Sequence, residues 1–451
     1  MQSTDRMTPR ELRASLGLAG VFGLRMLGMF IILPVFALYA RDLPGGNDQT
    51  LVGLALGAYG LAQALLQIPF GRLSDHWGRK RTIYLGLLIF AAGSFIAALA
   101  QDIYLVALGR AIQGAGAISA AVIALTADLT SNENRTKAMA LIGMTIGATF
   151  AVSMVAGPAL GHAIGVPGIF AMTGVLAIAS MLVVRFVVPE PLQTSVQQPV
   201  PMIAVLRDTQ LMRLNFGILS LHAILMALFV VLPVALIEHL AAASHWQVYL
   251  PVMLGGIAIM VPAMLISERR NRQKWAFLGA IALLLLASLV IALGLASLAW
   301  MVAGLVLFFA AFNLLEASLP SLISKMAPPA AKGTAIGVYS TMQFLGTFIG
   351  AGIAGLLAQH IGRGAVFGFC AILAAVWFAL AAGMRSPQKL TTRRFPLTGI
   401  EPERVVEIER ELAGVPGVHG VELSADRVAS LKVDSAAFDE QNVVRLLANK
   451  I

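Results

Sequence analysis

Residues 71 to 81 read Gly71-Arg72-Leu73-Ser74-Asp75-His76-Trp77-Gly78-Arg79-Lys80-Arg81, a short charged segment between two apolar runs at about 50–71 and 81–100. Each run has roughly the 20 apolar residues that a helix needs to cross the hydrocarbon of a bilayer. Four permanent cations at the junction mark the cytoplasmic side, because Lys and Arg accumulate there. Topology requires no acid among them, so Asp75 asks for another explanation. A carboxylate placed here complements the positive N-terminal end of a neighbouring helix, and a glycine such as Gly71 lets another backbone come close.

The same alternation continues on both sides. The chain has 451 residues, 58% of them hydrophobic and only 12% charged, with a mean hydropathy of +0.83, which is too apolar for a water-soluble globule. Twelve spans fit, at roughly 14–40, 50–71, 81–100, 103–128, 136–164, 167–187, 212–240, 246–267, 274–294, 297–325, 332–361 and 364–385. The net charge of +9 is spread over alternate loops rather than gathered in a patch, which excludes nucleic acid as a partner. One set of loops carries Arg72, Arg79, Lys80, Arg81, Arg135, Lys137, Arg207, Arg269, Arg270, Arg272, Lys274, Lys325 and Lys332, and the opposite set carries only Arg41 and Arg363. Both termini are therefore expected in the cytoplasm, with no removable signal peptide at the start.

Residues 189–211, rich in Pro, Gln, Ser and Thr, form the expected cytoplasmic linker between a six-helix half at 1–188 and a second at 212–385. A weak repeat supports the division. Pro69, Ser74, Asp75 and Arg79 find Pro262, Ser267, Glu268 and Arg272, each 193 residues on. After a basic linker at 386–394 the composition turns soluble, and 395–451 reads as a small α+β module of order β-α-β-β-α. Its elements are a strand from Phe395 to Ile400, a helix with Val405, Ile408 and Leu412 on one face, two short strands, and a final helix using Phe438, Val443, Leu446 and Leu447. That order is ferredoxin-like, without an evident fourth strand.

Three motifs carry a resemblance. The segment at 71–81 resembles the signature loop of the major facilitator superfamily. Leu108-Gly109-Arg110-Ala111-Ile112-Gln113-Gly114 in the fourth span resembles the family's second motif, and Gly157-Pro158-Ala159-Leu160-Gly161 in the fifth is similar to that of its antiporter branch, with His162 in place of a usual glycine. The membrane part is thus identified as a member of the drug:proton antiporter-type major facilitators. The resemblance implies that Gly71, Asp75, Arg79 and Asp128 latch the halves on the cytoplasmic side in the outward-facing state. It also implies that Arg110 tunes a nearby acid, and that the molecule cycles as a rocker switch in the inner membrane.

Ionisable side chains inside spans are expensive and mark function by default. Arg25, Arg110, His222 and Glu316 are the candidates for proton coupling. Glu316 is the leading proton carrier, with a salt bridge to Arg25 as its structural alternative. Gln63, Gln67, Gln113, Asn215 and Asn313 are candidate lining of a mostly apolar cavity, and serve equally well as interhelical hydrogen bonds. No catalytic set, phosphate-binding loop or Cys-x-x-Cys occurs, and Cys370 is the only cysteine, so no enzyme activity, cofactor or metal is expected. The expected function is proton-coupled export of small lipophilic or cationic compounds. A proton-coupled importer and a non-transporting membrane sensor, with the terminal domain as its output, are the rival readings. That domain is expected to contact cytoplasmic loops or a regulatory ligand.

Overall fold

The computed structural model describes residues 7–190, 202–269, 272–328, 331–384, 390–397, 405–423, 428–434 and 438–448. The chain divides into two compact units, Met1–Met384 and Arg385–Ile451.

In the first unit the elements are α1 (Pro9–Phe30), α2 (Leu33–Ala40), α3 (Gln49–Trp77), α4 (Arg79–Ala98), α5 (Ile103–Ala115), α6 (Ser119–Asp128), α7 (Asn132–Phe186), α8 (Met202–Arg207), α9 (Thr209–Leu236), α10 (Trp246–Arg269), α11 (Gln273–Gly294), α12 (Leu298–Met326), α13 (Lys332–His360) and α14 (Arg363–Ala382). Among the described residues eleven stretches are long and apolar enough to cross a membrane, and one of them is too long for a single pass. Continuous helix over the 55 residues of α7 would measure about 80 Å at 1.5 Å per residue. Gly165 interrupts it at φ 70, ψ 168, a conformation essentially confined to glycine, two residues before Pro167. The two segments of α7 are separate passes, which makes twelve.

Other spans are broken as well. The first divides at Ile31 and Ile32, just ahead of Pro34 at the start of α2, and the fourth divides at Gly116, where φ −70, ψ 58 is not helical. The second span runs about two turns further than its hydropathy indicates. Gly71 to Trp77 are the end of α3, and only Gly78, at φ 104, separates α3 from α4. The segment expected as a loop is therefore mostly helix, because Arg72, Ser74, Asp75 and His76 are polar without being helix breakers. The 193-residue repeat falls on this junction in both halves: Pro69 and Pro262 lie inside α3 and α10, Arg79 opens α4, and Arg272 precedes α11.

The core runs through both halves. Helix α1 packs on α7, α4 on α5 and α7, and α11 on α12 and α14, while α13 lies against both α3 and α9 and so joins the halves. Small residues make that junction close. A side chain on Gly60 would strike the Phe344 carbonyl and Thr347, one on Gly57 would strike Phe348, and Gln49 donates its N–H to Gln359 Oε1 at 2.8 Å. All of these lie at the end of the spans remote from the basic loops, or between that end and the middle. Gly143, Gly147, Gly333 and Gly337, in the half of their spans toward the basic loops, and Gly364 and Gly368 at the opposite end, have no atom within 4 Å of an added Cβ.

The linker expected at 189–211 is shorter than that range, since α8 and α9 occupy 202–207 and 209–236; its Pro-rich stretch at 191–201 lies outside the described residues.

The second unit contains β1 (Leu390–Pro396), α15 (Val405–Ala413), β2 (Val418–Leu423), β3 (Val428–Asp434) and α16 (Glu440–Ala448). Its sheet has the order β1-β3-β2, antiparallel throughout, which is the ferredoxin-like arrangement with three strands among the described residues. The first strand begins five residues earlier than expected, taking Leu390 to Arg394 from the basic linker. Arg393 is exposed on this edge strand, where charge discourages pairing with other chains. Phe395, Ile408, Leu412, Leu431, Val433, Val443 and Leu447 form the core. The expected strand end at Ile400 lies outside the described residues.

Candidate functional site

The polar residues of the spans lie inside the helices rather than at their ends. Arg25, Tyr59, Arg110, His222, Glu316 and Gln343 each lie seven or more residues, at least about 10 Å, from both ends of their spans. They form two groups, one in each half.

In the first half, Arg25 donates to Ser119 Oγ at 3.0 Å and to Gln63 Oε1, and Gln63 passes a hydrogen bond to Gln67 Oε1 at 2.8 Å. Arg110 donates to Gln113 Oε1 at 2.8 Å and reaches the Leu56 carbonyl at 3.5 Å, while Gln113 donates to Ser94 Oγ. The Arg110 guanidinium carbon stands 4.9 Å from the centre of the Tyr59 ring, a cation–π contact. Arg25 and Arg110 are 2% and 1% exposed. Among the described residues neither has a carboxylate within ion-pair distance, so the acid expected beside Arg110 is not there, and Arg25 is bonded within its own half rather than to Glu316.

In the second half, His222 on α9, Glu316 on α12 and Gln343 on α13 converge. The His222 Nδ1 lies 3.3 Å from the Ile218 carbonyl, its Nε2 lies 2.8 Å from the Gln343 side-chain nitrogen, and Glu316 Oε2 lies 3.9 Å from the same Nε2. This pattern assigns the ring proton to Nδ1, which donates to Ile218, and leaves Nε2 accepting from the Gln343 amide. Glu316 Oε2 is buried without a hydrogen bond. A proton arriving on Nε2 would make it a donor, for which Glu316 is the waiting acceptor. Asn215 and Asn313 lie apart from this group in bonding: Asn215 donates weakly to Met212 Sδ at 3.7 Å, and one polar atom of each is buried without a partner.

Aromatic rings connect the two halves between these groups. Phe150 on α7 stands 5.0 Å from Phe30 on α1, and 6.0 and 5.5 Å from Phe309 and Phe312 on α12; Phe312 is 6.2 Å from the His222 ring. Tyr59 and Phe344 make a similar contact at 6.4 Å.

The signature residues sit at the basic-loop end. Arg79 is bonded to Ser74 Oγ at 2.7 Å, to Asp128 Oδ2 at 3.1 Å and to Asp75, all in the first half. A Cβ added to Gly71 would meet Ala120 at 3.5 Å, an ordinary contact. Gly157 and Gly161 allow α7 to lie against the break in the first span, since side chains there would strike Ile31, Pro34 and Val35, and Pro158 is carried inside the helix.

Gln343 and the aromatic set were not singled out by sequence. Gln343 is uncharged, so a search for ionisable residues in spans passes over it, and a phenylalanine in a cavity reads the same as one in a core. The pairing of His222 with Glu316 is likewise a product of packing, 94 residues apart in the chain.

Comparison with known proteins agrees with this architecture. The sequence model of the Major Facilitator Superfamily matches residues 18–351 and 310–416. The chain is 46% identical to the inner membrane transport protein YajR of Escherichia coli (strain K12) over 398 residues, 87% of each chain. It is 34% identical to the uncharacterized transporter BU466 of Buchnera aphidicola subsp. Acyrthosiphon pisum (strain APS) over 347 residues, covering 75% of this chain and 89% of the relative. Among solved structures it shares a fold with the nucleoside transporter NupG at a TM-score of 0.66 and 15% identity, over 82% of this chain and 99% of that one. With twelve passes, a polar midplane shared between two halves and relatives that match over most of its length, this chain belongs to the major facilitator superfamily of multi-pass membrane transporters.

Proposed function

We propose that the chain is a proton-coupled secondary transporter that exports small lipophilic compounds across the inner membrane by antiport, with both ends in the cytoplasm. The observation that carries this reading is the His222, Glu316 and Gln343 group at mid-span. It offers a proton two adjacent sites, and it touches the aromatic contacts through which the halves meet. An intramembrane carboxylate beside a histidine is the usual material of a proton relay.

The conformation supports alternating access. Close packing of α3 on α13 at the end remote from the basic loops, where Gly53, Gly57 and Gln49 meet α13, fits an inward-facing state if the basic loops are cytoplasmic. The Arg79, Asp75 and Asp128 cluster, bonded within the first half and with Asp75 exposed, is then the disengaged half of the gate. The inner membrane location follows the relative YajR.

The test is substrate-induced proton release from acidified everted vesicles, read with a pH-gradient dye over a panel of lipophilic compounds. A compound that collapses the gradient only with the wild-type protein, and not with Glu316→Gln, is the expected result. Substrate uptake that occurs with no proton movement would overturn the proposal.

A further inference from the structure

The donors buried around Tyr59 have fewer acceptors than they need. Arg25 Nε, Arg110 Nε and the Tyr59 hydroxyl are all buried and without a hydrogen-bond partner, and the acceptors that the two guanidiniums do have (Gln63, Ser119, Gln113 and the Leu56 carbonyl) are all neutral. Two permanent positive charges thus lie inside the spans against successive turns of α3, with no carboxylate in contact among the described residues. Buried charges are ordinarily paired, and an arginine inside a span faces a partner or a water-filled cavity. Glu316 does not fill the role, since it lies on α12 beside His222.

We infer that this cluster receives the negative head of the transported compound, and that the substrate is an amphipathic organic anion: a carboxylate or similar oxyanion on an aromatic or aliphatic body. An aromatic set that a rocking motion would part lies one and a half turns further along the same helix as Arg25. Phe30 follows Arg25 by five residues, about 7.5 Å along α1, and meets Phe150, which leads on to Phe309 and Phe312. Tyr59 lies at the junction of the halves, bearing on Arg110 from one side of the interface and Phe344 from the other, so a rocking motion that parts α3 from α13 exposes the cluster. The expectation of cationic substrates rested on Glu316, but a cation entering here would face two guanidiniums, while Glu316 answers to His222. The inference rests on the proposed transport function for its physiological meaning, and on the cluster alone for binding.

Binding separates the two. The full-length protein in detergent is titrated with 2-naphthoate, the isosteric neutral 2-naphthamide and the cation 2-naphthylmethylammonium, following the ligand-induced rise in melting temperature. The expected result is stabilisation by naphthoate over both analogues, with affinity roughly tenfold or more weaker in Arg25→Gln and Arg110→Gln, the loss expected for a charge-assisted hydrogen bond. Arg25→Lys should retain part of the binding, and Arg41→Gln on an exposed turn all of it. If a variant fails to fold, the comparison of the three probes on the wild type still decides. Equal or stronger stabilisation by the amide or the cation, no stabilisation by naphthoate, or unchanged naphthoate affinity in a folded Arg25→Gln would overturn the inference. Cation-driven proton release in vesicles would overturn it and leave proton-coupled export standing, whereas naphthoate transported in vesicles without proton movement would do the reverse.

Discussion

A carboxylate at the middle of a bilayer persists when something at hand rewards its proton or its charge, and Glu316 has His222 at 3.9 Å for both. Glu316→Gln keeps the shape and removes the charge; it is expected to abolish proton-coupled transport while leaving the protein folded, as read by gradient collapse and by melting temperature. Gln343→Leu removes the donor to His222 Nε2, which frees the ring to turn toward Glu316, so the pH profile of transport should shift although Gln343 itself does not titrate. At the basic-loop end, Arg79→Ala removes three side-chain partners at once and leaves Asp128 nearly buried and unpaired; transport should fall roughly tenfold or more, with Arg79→Lys intermediate because lysine lacks the guanidinium fork. At this scale the sequence announced which residues were expensive in a membrane, and so named Arg25, Arg110, His222 and Glu316. It could not say that Arg110 turns to Gln113 and Tyr59 rather than to an acid, because partners across helices depend on rotation and depth, which one-dimensional spacing does not contain.

Helices in this molecule are interrupted where they must bend. Gly165 holds φ 70 between two passes, and replacing it by alanine puts a Cβ into a conformation that costs about 1–3 kcal/mol; a lower melting temperature in Gly165→Ala checks this. The start of α1 has a different device. Glu11 accepts hydrogen bonds from the Thr8 N–H and hydroxyl, the Ser131 N–H and the Asn134 amide, so one carboxylate caps α1 and ties it to the entry of α7. Glu11→Ala should destabilise the first half by about 1–3 kcal/mol, measured by thermal or denaturant unfolding. Apolar run length was enough to place every span to within a few residues, with the largest miss at the end of α3. There the polar residues of 71–77 read as loop, although nothing in them stops a helix before Gly78. The break at Gly116 and the contact of Gly157 and Gly161 with the first span were beyond such a reading, since glycines also serve simple close packing.

Across the whole molecule, two six-span halves meet through α3, α9 and α13 around a midplane that is cationic in one half and carries Glu316 and His222 in the other. The small α+β unit has a core of its own, so a chain ending at Met384 should insert and melt as the full-length membrane unit does. The halves were legible from the 193-residue repeat and the charged loops, whereas the conformational state was not, because one sequence serves every state of a cycle. In the proposed cycle, protonation at Glu316 and His222 drives the halves past one another. Spin-label distances test it without a known substrate, in a Cys370→Ala background, between His76→Cys and Lys325→Cys at the basic-loop end and between Asn47→Cys and His360→Cys at the other. Taking the pH from about 8 to about 5 should lengthen one distance as it shortens the other, and Glu316→Gln should hold both fixed. Distances that ignore pH, or that respond identically in Glu316→Gln, would contradict the account.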